Sequence, residues 1–307
     1  MNRAQYLASS DVSPFVTWLA TKSDGFKFNL RILKTKYVSE TIDKVVVGLP
    51  NLVSCYNWKA QWIDGQVLVE SSCWDSTVVS LTKLSNRLQA VVSKPKSNAD
   101  ALKVLYSVLK WGGDRNVRVG AGRFVGTHDD ICGYLRTYAE VLRLDRAEVD
   151  PTEVGVPALR PPVMMNAMLT KVHSLLAEDG LPIYDSRVAG AMATLVALYA
   201  TERRSAGVRM PGLPRLLEFP LTDRDSRRRV PADLREFSSF TINRDQNASL
   251  RAAAQWTSAK IRLGWILQAV LEAKPSLFSQ YHPRLRMRAF EASLFMAGYD
   301  TNSFSRI

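Results

Sequence analysis

Hydrophobic positions in the N-terminal quarter of the chain follow the two-residue period of β-strands. Apolar and polar residues alternate over 26–32, residues 44–47 are rich in β-branched side chains, and two more apolar runs flank Asp64-Gly65 between Trp58 and Val69. Asp-Gly between two such runs is a strong hairpin signal, because these residues tolerate the positive φ angles of a tight turn. We therefore expect strands over these segments and a hairpin at Asp64-Gly65.

From Asp75 onward the hydrophobic positions take the spacing of amphipathic helices. Leu81, Leu84 and Leu88 recur together with Val91 on one helical face, which predicts a helix beginning near Asp75. The change of period within a few residues indicates that strand structure gives way to helical structure at this point.

Several further helices are predicted downstream. One covers 98–111, since Gly112-Gly113 is a strong stop signal. Thr127 is interpreted as the N-cap of the next helix, whose apolar face holds Ile131, Leu135, Tyr138 and Leu142. Beyond a proline-rich connection over 150–162, the periodicity predicts helices over 165–178, 186–203, 246–273 and 285–297.

The order of these elements predicts the fold class. Strands that precede a series of helices are typical of an α+β protein. We expect a β-containing N-terminal portion over 1–97 and a mostly helical body over 98–307.

Composition places the chain among ordinary globular proteins. Of its 307 residues, 46% are hydrophobic and 23% are charged, which excludes global disorder. Residues 1–30 lack an apolar signal core, and Gly190 and Thr194 interrupt the apolar run over 188–200, so neither secretion nor membrane insertion is expected. Three scattered cysteines are too few for a disulfide framework, and we expect a cytoplasmic protein.

Charge gives the first indication of a partner. The chain holds 41 basic and 29 acidic residues, and residues 201–307 contribute 18 of the basic and 10 of the acidic ones. A basic excess concentrated in one region favours a nucleic acid, because Lys and Arg release counterions from phosphates. A soluble protein with solvated arginines is the alternative.

Several common chemistries are disfavoured. His128, His173 and His282 stand apart, outside any zinc-binding spacing, so no metal site is expected. Gly120-Ala-Gly122 is too short for a phosphate-binding or dinucleotide-binding loop. We therefore expect no cofactor, whether a metal ion or a nucleotide.

Lys171 and Asp185 are the strongest candidates for chemistry. Lys171 lies at the border of an apolar helical face, and Asp185 precedes a helix that is apolar nearly all round. The connection between them is long enough to bring the two side chains together. A desolvated lysine beside a carboxylate can act as an amine nucleophile that forms a Schiff base. The alternatives are a helix-capping aspartate and a lysine that reaches toward solvent.

The segments around these two residues resemble a known family. Thr170-Lys171-Val172 and the stretch over 183–188 are similar to the Lys and Asp segments of the helix-hairpin-helix DNA glycosylase superfamily, particularly 8-oxoguanine DNA glycosylases. The resemblance implies excision of a flipped-out base by cleavage of its N-glycosidic bond. Asp185 would match the catalytic aspartate, and Lys171 the amine that attacks C1′ and gives AP-lyase activity. The glycine-rich hairpin of the family is absent from 160–166.

An enzyme of this kind must hold DNA by its phosphates and stack the extruded base. Trp111 is a candidate for stacking or for wedging into the duplex, with Arg115 and Asn116 beside it, although a core position is the alternative for the tryptophan. The remaining DNA-binding candidates are basic, with a solvated loop as the alternative for the arginines: Arg203, Arg204, Arg227, Arg228, Arg229, Lys260 and Arg262.

The sequence therefore predicts a DNA glycosylase that excises a damaged or modified base, in repair or in defence against phage DNA. DNA is the expected partner. A non-enzymatic DNA-binding protein, regulatory or architectural, is the rival hypothesis. The identity of the base and the oligomeric state stay open.

Overall fold

The computed structural model describes residues 1–93, 98–114, 116, 118–150, 164–222, 226–242 and 250–304. It confirms the predicted class: the protein is α+β, with N-terminal strands followed by a helical body. Within these ranges, no helix is both long enough and apolar enough to cross a membrane.

Two short helices and a two-stranded sheet begin the chain. They are α1 (Arg3–Leu7), α2 (Val12–Lys22), β1 (Lys27–Ile32) and β2 (Ile42–Val47). The strands pair in antiparallel register, with Lys27 opposite Val47. Phe28, Leu30 and Ile32 are buried while the residues between them are exposed, as the alternating pattern predicted.

A hairpin follows a short helical segment, and its two-residue turn is Gly65-Gln66, one residue later than the predicted Asp64-Gly65. The elements are α3 (Leu49–Leu52), a 3₁₀ turn at Val53–Cys55, β3 (Ala60–Asp64) and β4 (Val67–Ser71). Asp64 pairs with Val67, and Gly65 has a φ of 62°. Only glycine adopts such an angle without strain, so the turn chemistry fixes the register.

The next four helices confirm one prediction and correct another. They are α4 (Trp74–Ser93), α5 (Asn98–Trp111), α6 (Gly120–Thr127) and α7 (Ile131–Val141). The bounds of α5 are those predicted. Thr127, predicted as an N-cap, is instead the last residue of α6, because His128 after it has an extended backbone. Asp130 caps α7 by accepting from the Gly133 N–H.

The C-terminal half contains the longest helices. They are α8 (Leu169–Leu176), α9 (Ser186–Ser205), α10 (Leu250–Ala273) and α11 (Arg286–Ala297). Helix α8 starts later than predicted because Asn166 Oδ1 accepts from the N–H groups of Met168 and Leu169. Between α9 and α10 lie 3₁₀ turns and two short parallel strands, β5 (Leu221–Thr222) and β6 (Thr241–Ile242).

Helix α9 forms the centre of the molecule. It contacts α2 and α11, and α11 also contacts α3 of the N-terminal portion. Gly298, the residue after α11, is in close contact with the first turn of α9. A Cβ added at Gly298 would lie 1.9 Å from the Arg187 carbonyl oxygen. The predicted boundary at residue 97 lies outside the described residues, as does nearly all of the connection over 150–162.

Candidate functional site

A pocket of about 460 Å³ lies where the start of α9 meets α8, α11 and the end of α5. Ligand-binding pockets of proteins commonly measure about 300–1,000 Å³. The aromatic residues of its wall are Tyr37, Tyr56, Trp58, Trp111, Trp256 and Phe295. Its charged residues are Asp114, Lys171, Asp185, Arg187, Arg228 and Glu291.

Lys171 is buried on α8, and its amine reaches the pocket wall. Its Nζ donates to the Ala167 carbonyl at 2.8 Å. Gly112, the residue after α5, packs directly against this side chain. A Cβ at Gly112 would lie only 2.7 Å from Lys171 Cδ. Burial lowers the pKa of Lys171, and the nearby charge of Asp185 opposes this shift only in part. The amine is therefore easier to deprotonate than an ordinary lysine.

Asp185 is the N-cap of α9, the role that the sequence offered as the alternative to catalysis. Its Oδ1 accepts from the N–H groups of Arg187 at 2.9 Å and Val188 at 3.2 Å. Its Oδ2 lies 3.8 Å from Lys171 Nζ. Burial alone would raise the pKa of Asp185, but the charges of Lys171 and Arg187 and the Val188 N–H outweigh it and lower the pKa. The group is thus a buried carboxylate beside a buried amine.

Arg187 completes this cluster from the first turn of α9. Its guanidinium lies 3.8 Å from Asp185 Oδ2, the same distance as the Lys171 amine. The guanidinium carbon also lies over three rings, 5.1 Å from Trp58, 4.9 Å from Phe295 and 4.4 Å from Tyr299. Distances below about 6 Å are typical of cation–π contacts. Arg187 is therefore a cation shared between one carboxylate and an aromatic cage.

The loop after α5 is joined to the aromatic wall. Tyr37 stacks on Trp58 with ring centroids 4.6 Å apart and an interplanar angle of 13°. The Trp58 indole N–H donates to the Trp111 carbonyl, and the Tyr37 hydroxyl donates to the Gly113 carbonyl. Gly113 has a φ of 91°, which lets the loop turn against these two rings. Residues of the N-terminal portion and the helical body thus share one wall.

Glu291 brings a second carboxylate to the pocket from α11. Its Oε2 accepts from the Ile183 N–H at 2.8 Å and from the Arg288 guanidinium. Burial raises the pKa of Glu291, while the charge of Arg288 acts in the opposite direction. Both of these bonds are accepted by the same oxygen of the carboxylate.

The structure places Trp111 in the pocket wall. The side chain is only 3% exposed, so the expectation of a wedge inserted into a duplex is wrong, because the ring is enclosed by the protein. Asn116 is exposed beside a second cavity of about 420 Å³ that shares Asp114 with the main pocket. Arg115 lies outside the described residues.

Lys260 and Arg262 are not phosphate ligands in this structure, contrary to the expectation from sequence. Both are buried on α10. Lys260 donates to the Thr170 carbonyl and the Ser174 hydroxyl. The Arg262 guanidinium donates to the carbonyls of Leu216 and Glu218, among others. Both cations are therefore bound to groups of the protein interior, on a helix that is buried over most of its length.

The predicted arginines fall into two groups at opposite ends of α9. Arg228 lines the pocket and donates to the Ser186 hydroxyl at 2.6 Å, and exposed Arg227 and Arg229 flank it in sequence. Arg203 and Arg204 lie near the other end of α9, about 27 Å away at 1.5 Å per residue. Arg204 pairs with Glu236 and packs on Phe237. Only the first group lies near the pocket.

Several residues of the pocket were not predicted from the sequence. A signal existed for Arg187, two positions after Asp185, and for Glu291, the one charged residue of the mostly apolar run over 289–297. Tyr37, Tyr56 and Trp58 carried no such signal, because their approach to the helical body depends on tertiary packing.

The arrangement offers acid, base and nucleophile chemistry in a partly desolvated pocket. Groups of three or more His, Cys, Asp or Glu side chains that could hold a metal ion are absent from the part of the chain that the structure describes. Comparison with known proteins finds no match to a protein-family model, a curated protein or a solved structure.

Proposed function

We propose that the protein is a DNA glycosylase that excises a modified base from an extruded nucleotide in this pocket. The observation that carries the proposal is the buried pair of Lys171 and Asp185, 3.8 Å apart, at the wall of a pocket large enough for a base. A lysine of lowered pKa beside a carboxylate is a suitable arrangement for attack at a sugar carbon.

The aromatic wall supports a planar ligand. Bases that leave the duplex are held by stacking and by hydrogen bonds to their edges. The rings of Tyr56, Trp58 and Phe295 offer stacking surface, and Glu291 brings a carboxylate to the same pocket that can accept from an N–H of the base. A carboxylate acceptor favours bases with amino or ring N–H groups on that edge.

In the proposed reaction, Lys171 Nζ bonds to C1′ of the extruded nucleotide. The C1′–N bond to the base breaks, the departing base takes the electron pair, and it gains the proton that the amine loses. Protonation of O4′ then opens the sugar ring and leaves a protonated Schiff base between C1′ and Nζ. Asp185 Oδ2 stabilises the positive charge that develops at C1′. Without attack by Lys171, a water activated at Asp185 gives simple hydrolysis.

The charge distribution around the pocket supports a polyanionic substrate. Arg227 and Arg229 are exposed in the 3₁₀ turn and residues next to it, close to the start of α9. The net charge of +12 attracts DNA without regard to sequence. Arg228 lies at the pocket itself, where the phosphate of an extruded nucleotide would be held.

The test is release of free base, measured by mass spectrometry, from oxidised, alkylated, deaminated and hypermodified phage DNA. We expect the wild type to release one kind of base and Asp185→Asn to release it at least about 10³-fold more slowly. Asparagine can still cap α9, so the fold should persist. Asp130→Asn is the matched control, because Asp130 caps α7 away from the pocket.

A borohydride trap distinguishes the two chemical routes. Reduction of the Schiff base would link wild-type protein covalently to DNA through Lys171 and would leave Lys171→Met unlinked. Base release without trapping supports the hydrolytic route. If no DNA of the panel loses a base despite tight, salt-sensitive binding, the rival hypothesis of a non-enzymatic DNA-binding protein replaces the proposal.

A further inference from the structure

Arg187 and Lys171 compete for the same oxygen atom. Each cation lies 3.8 Å from Asp185 Oδ2, beyond the usual 2.7–3.2 Å, approximately, of an N–H···O hydrogen bond. The Lys171 amine instead donates to the Ala167 carbonyl. Asp185 Oδ2 is thus shared loosely by two cations and hydrogen-bonded by neither.

The position of Arg187 is fixed from several sides. Three rings surround its guanidinium, at 4.4–5.1 Å from Trp58, Phe295 and Tyr299. Its backbone N–H donates to Asp185 Oδ1, and its carbonyl is in close contact with Gly298. The side chain is only 11% exposed. Arg187 is therefore held by contacts to its side chain and to its backbone.

We propose that Arg187 is a positioning residue for Lys171. Its guanidinium, held among three rings, shares the electrostatic attraction of Asp185 with the Lys171 amine. Because of this sharing, the carboxylate does not form a close ion pair with the amine alone. The Lys171 amine therefore stays available to react. The inference rests on the proposed function only for its catalytic consequence, since the ionisation of Lys171 can be measured without substrate.

The other charges that face Lys171 do not replace this role. Asp185 and Glu291 favour the protonated amine, whereas Arg187, Arg228 and the more distant Lys260 disfavour it. Arg228 donates to the Ser186 hydroxyl, and Glu291 is bound by Arg288 and the Ile183 N–H. Of the cations in the described residues, Arg187 and Lys171 are the two within 4 Å of Asp185.

The test follows the amine directly by NMR titration of protein labelled with ¹⁵N at lysine Nζ, with Lys171→Met used to assign the signal. In Arg187→Met, Lys171 should lose its proton at a pH about one unit higher than in wild type. Arg187→Lys, which keeps the charge, should lie between them. Arg204→Met is the matched control, because Arg204 also packs on an aromatic ring, that of Phe237, at the other end of α9.

The pH profile of base release gives the second readout. Its acid limb should move upward by the same amount in Arg187→Met, so that activity at pH 7 falls about tenfold and recovers at higher pH. A loss of packing alone would reduce activity at all pH values. An unchanged Lys171 titration in folded Arg187→Met would overturn the inference, even if the protein is a glycosylase. If wild type releases no base, the titration still decides the role of Arg187.

Discussion

Two buried lysines, one on α8 and one packed against it, lie in very different surroundings. Lys171 belongs to α8 and reaches the pocket, where a carboxylate and an arginine lie beside it. Lys260 approaches α8 from the interior, where its amine donates to Thr170 O at 2.6 Å and Ser174 Oγ at 2.8 Å. Burial lowers the pKa of both lysines.

The comparison shows that burial of a lysine does not by itself indicate catalysis. The amine of Lys260 is fully buried and has two hydrogen-bond partners, so nothing can react with it. Lys171 has one hydrogen bond, a loose ion pair and access to a cavity. Access to a pocket beside a second titratable group is therefore the feature that separates a candidate nucleophile from a structural lysine.

The largest expected effect separates the two lysines by activity. Lys171→Met should lower base release by at least about 10²-fold, because the proposed nucleophile is lost while the buried volume is kept. Lys260→Met should change it by less than about threefold. Both rates are to be measured with the DNA from which the wild type is found to release a base. Equal losses in the two variants would mean that both lysines act through the packing of α8 and that Lys171 is not the nucleophile.

Much of the fold could be predicted from local sequence. The alternation of apolar and polar residues predicted β1, and the Asp64-Gly65 signal predicted the β3–β4 hairpin. The glycines after Trp111 predicted the end of α5. Thr127 was misread because a threonine inside a helix and a threonine before one look alike in sequence. The backbone decides between them: here Thr127 is helical, and its hydroxyl donates to the Arg123 carbonyl one turn earlier in the same helix.

The site could be predicted only in part. Lys171 and Asp185 could be predicted because each has a recognisable position relative to a helix. Lys171 lies at the border of an apolar helical face, and Asp185 lies at the start of a helix. Lys260 and Arg262 were misplaced because polar residues on a long helix normally mark its solvent side. Helix α10 is buried over most of its length, and burial on all sides follows from tertiary contacts that no local period reveals.

An effect of intermediate size, on the pH dependence of stability, should come from His173, which is buried on α8. Neither ring nitrogen has a partner among the described residues, and burial lowers the pKa of His173 to about 3. An unfolded histidine titrates near 6.5, so the unfolded state gains a proton first as the pH falls. The free energy of unfolding should therefore decrease between about pH 6.5 and pH 3, by about 2 kcal/mol at pH 5.

Urea unfolding of wild type and His173→Leu at pH 7 and pH 5 measures this contribution. The wild type should lose about 2 kcal/mol more than the variant between the two pH values. A parallel loss in both proteins would show that other groups cause the acid sensitivity and that the imidazole has a partner when the protein is in solution.

The smallest expected effect concerns the hydrogen bond between Lys260 and Ser174. Ser174→Ala removes one partner of the buried amine and should lower the free energy of unfolding by about 1 kcal/mol, measured by urea denaturation. Ser85→Ala is the matched control, since its hydroxyl donates to the Leu175 carbonyl at the partly exposed side of the same helix. Base release should be unchanged in both variants, because neither residue lines the main pocket. If Ser174→Ala instead slowed base release tenfold at unchanged stability, the interior lysine would be coupled to the pocket through α8, and the division between a structural and a reactive lysine would fail.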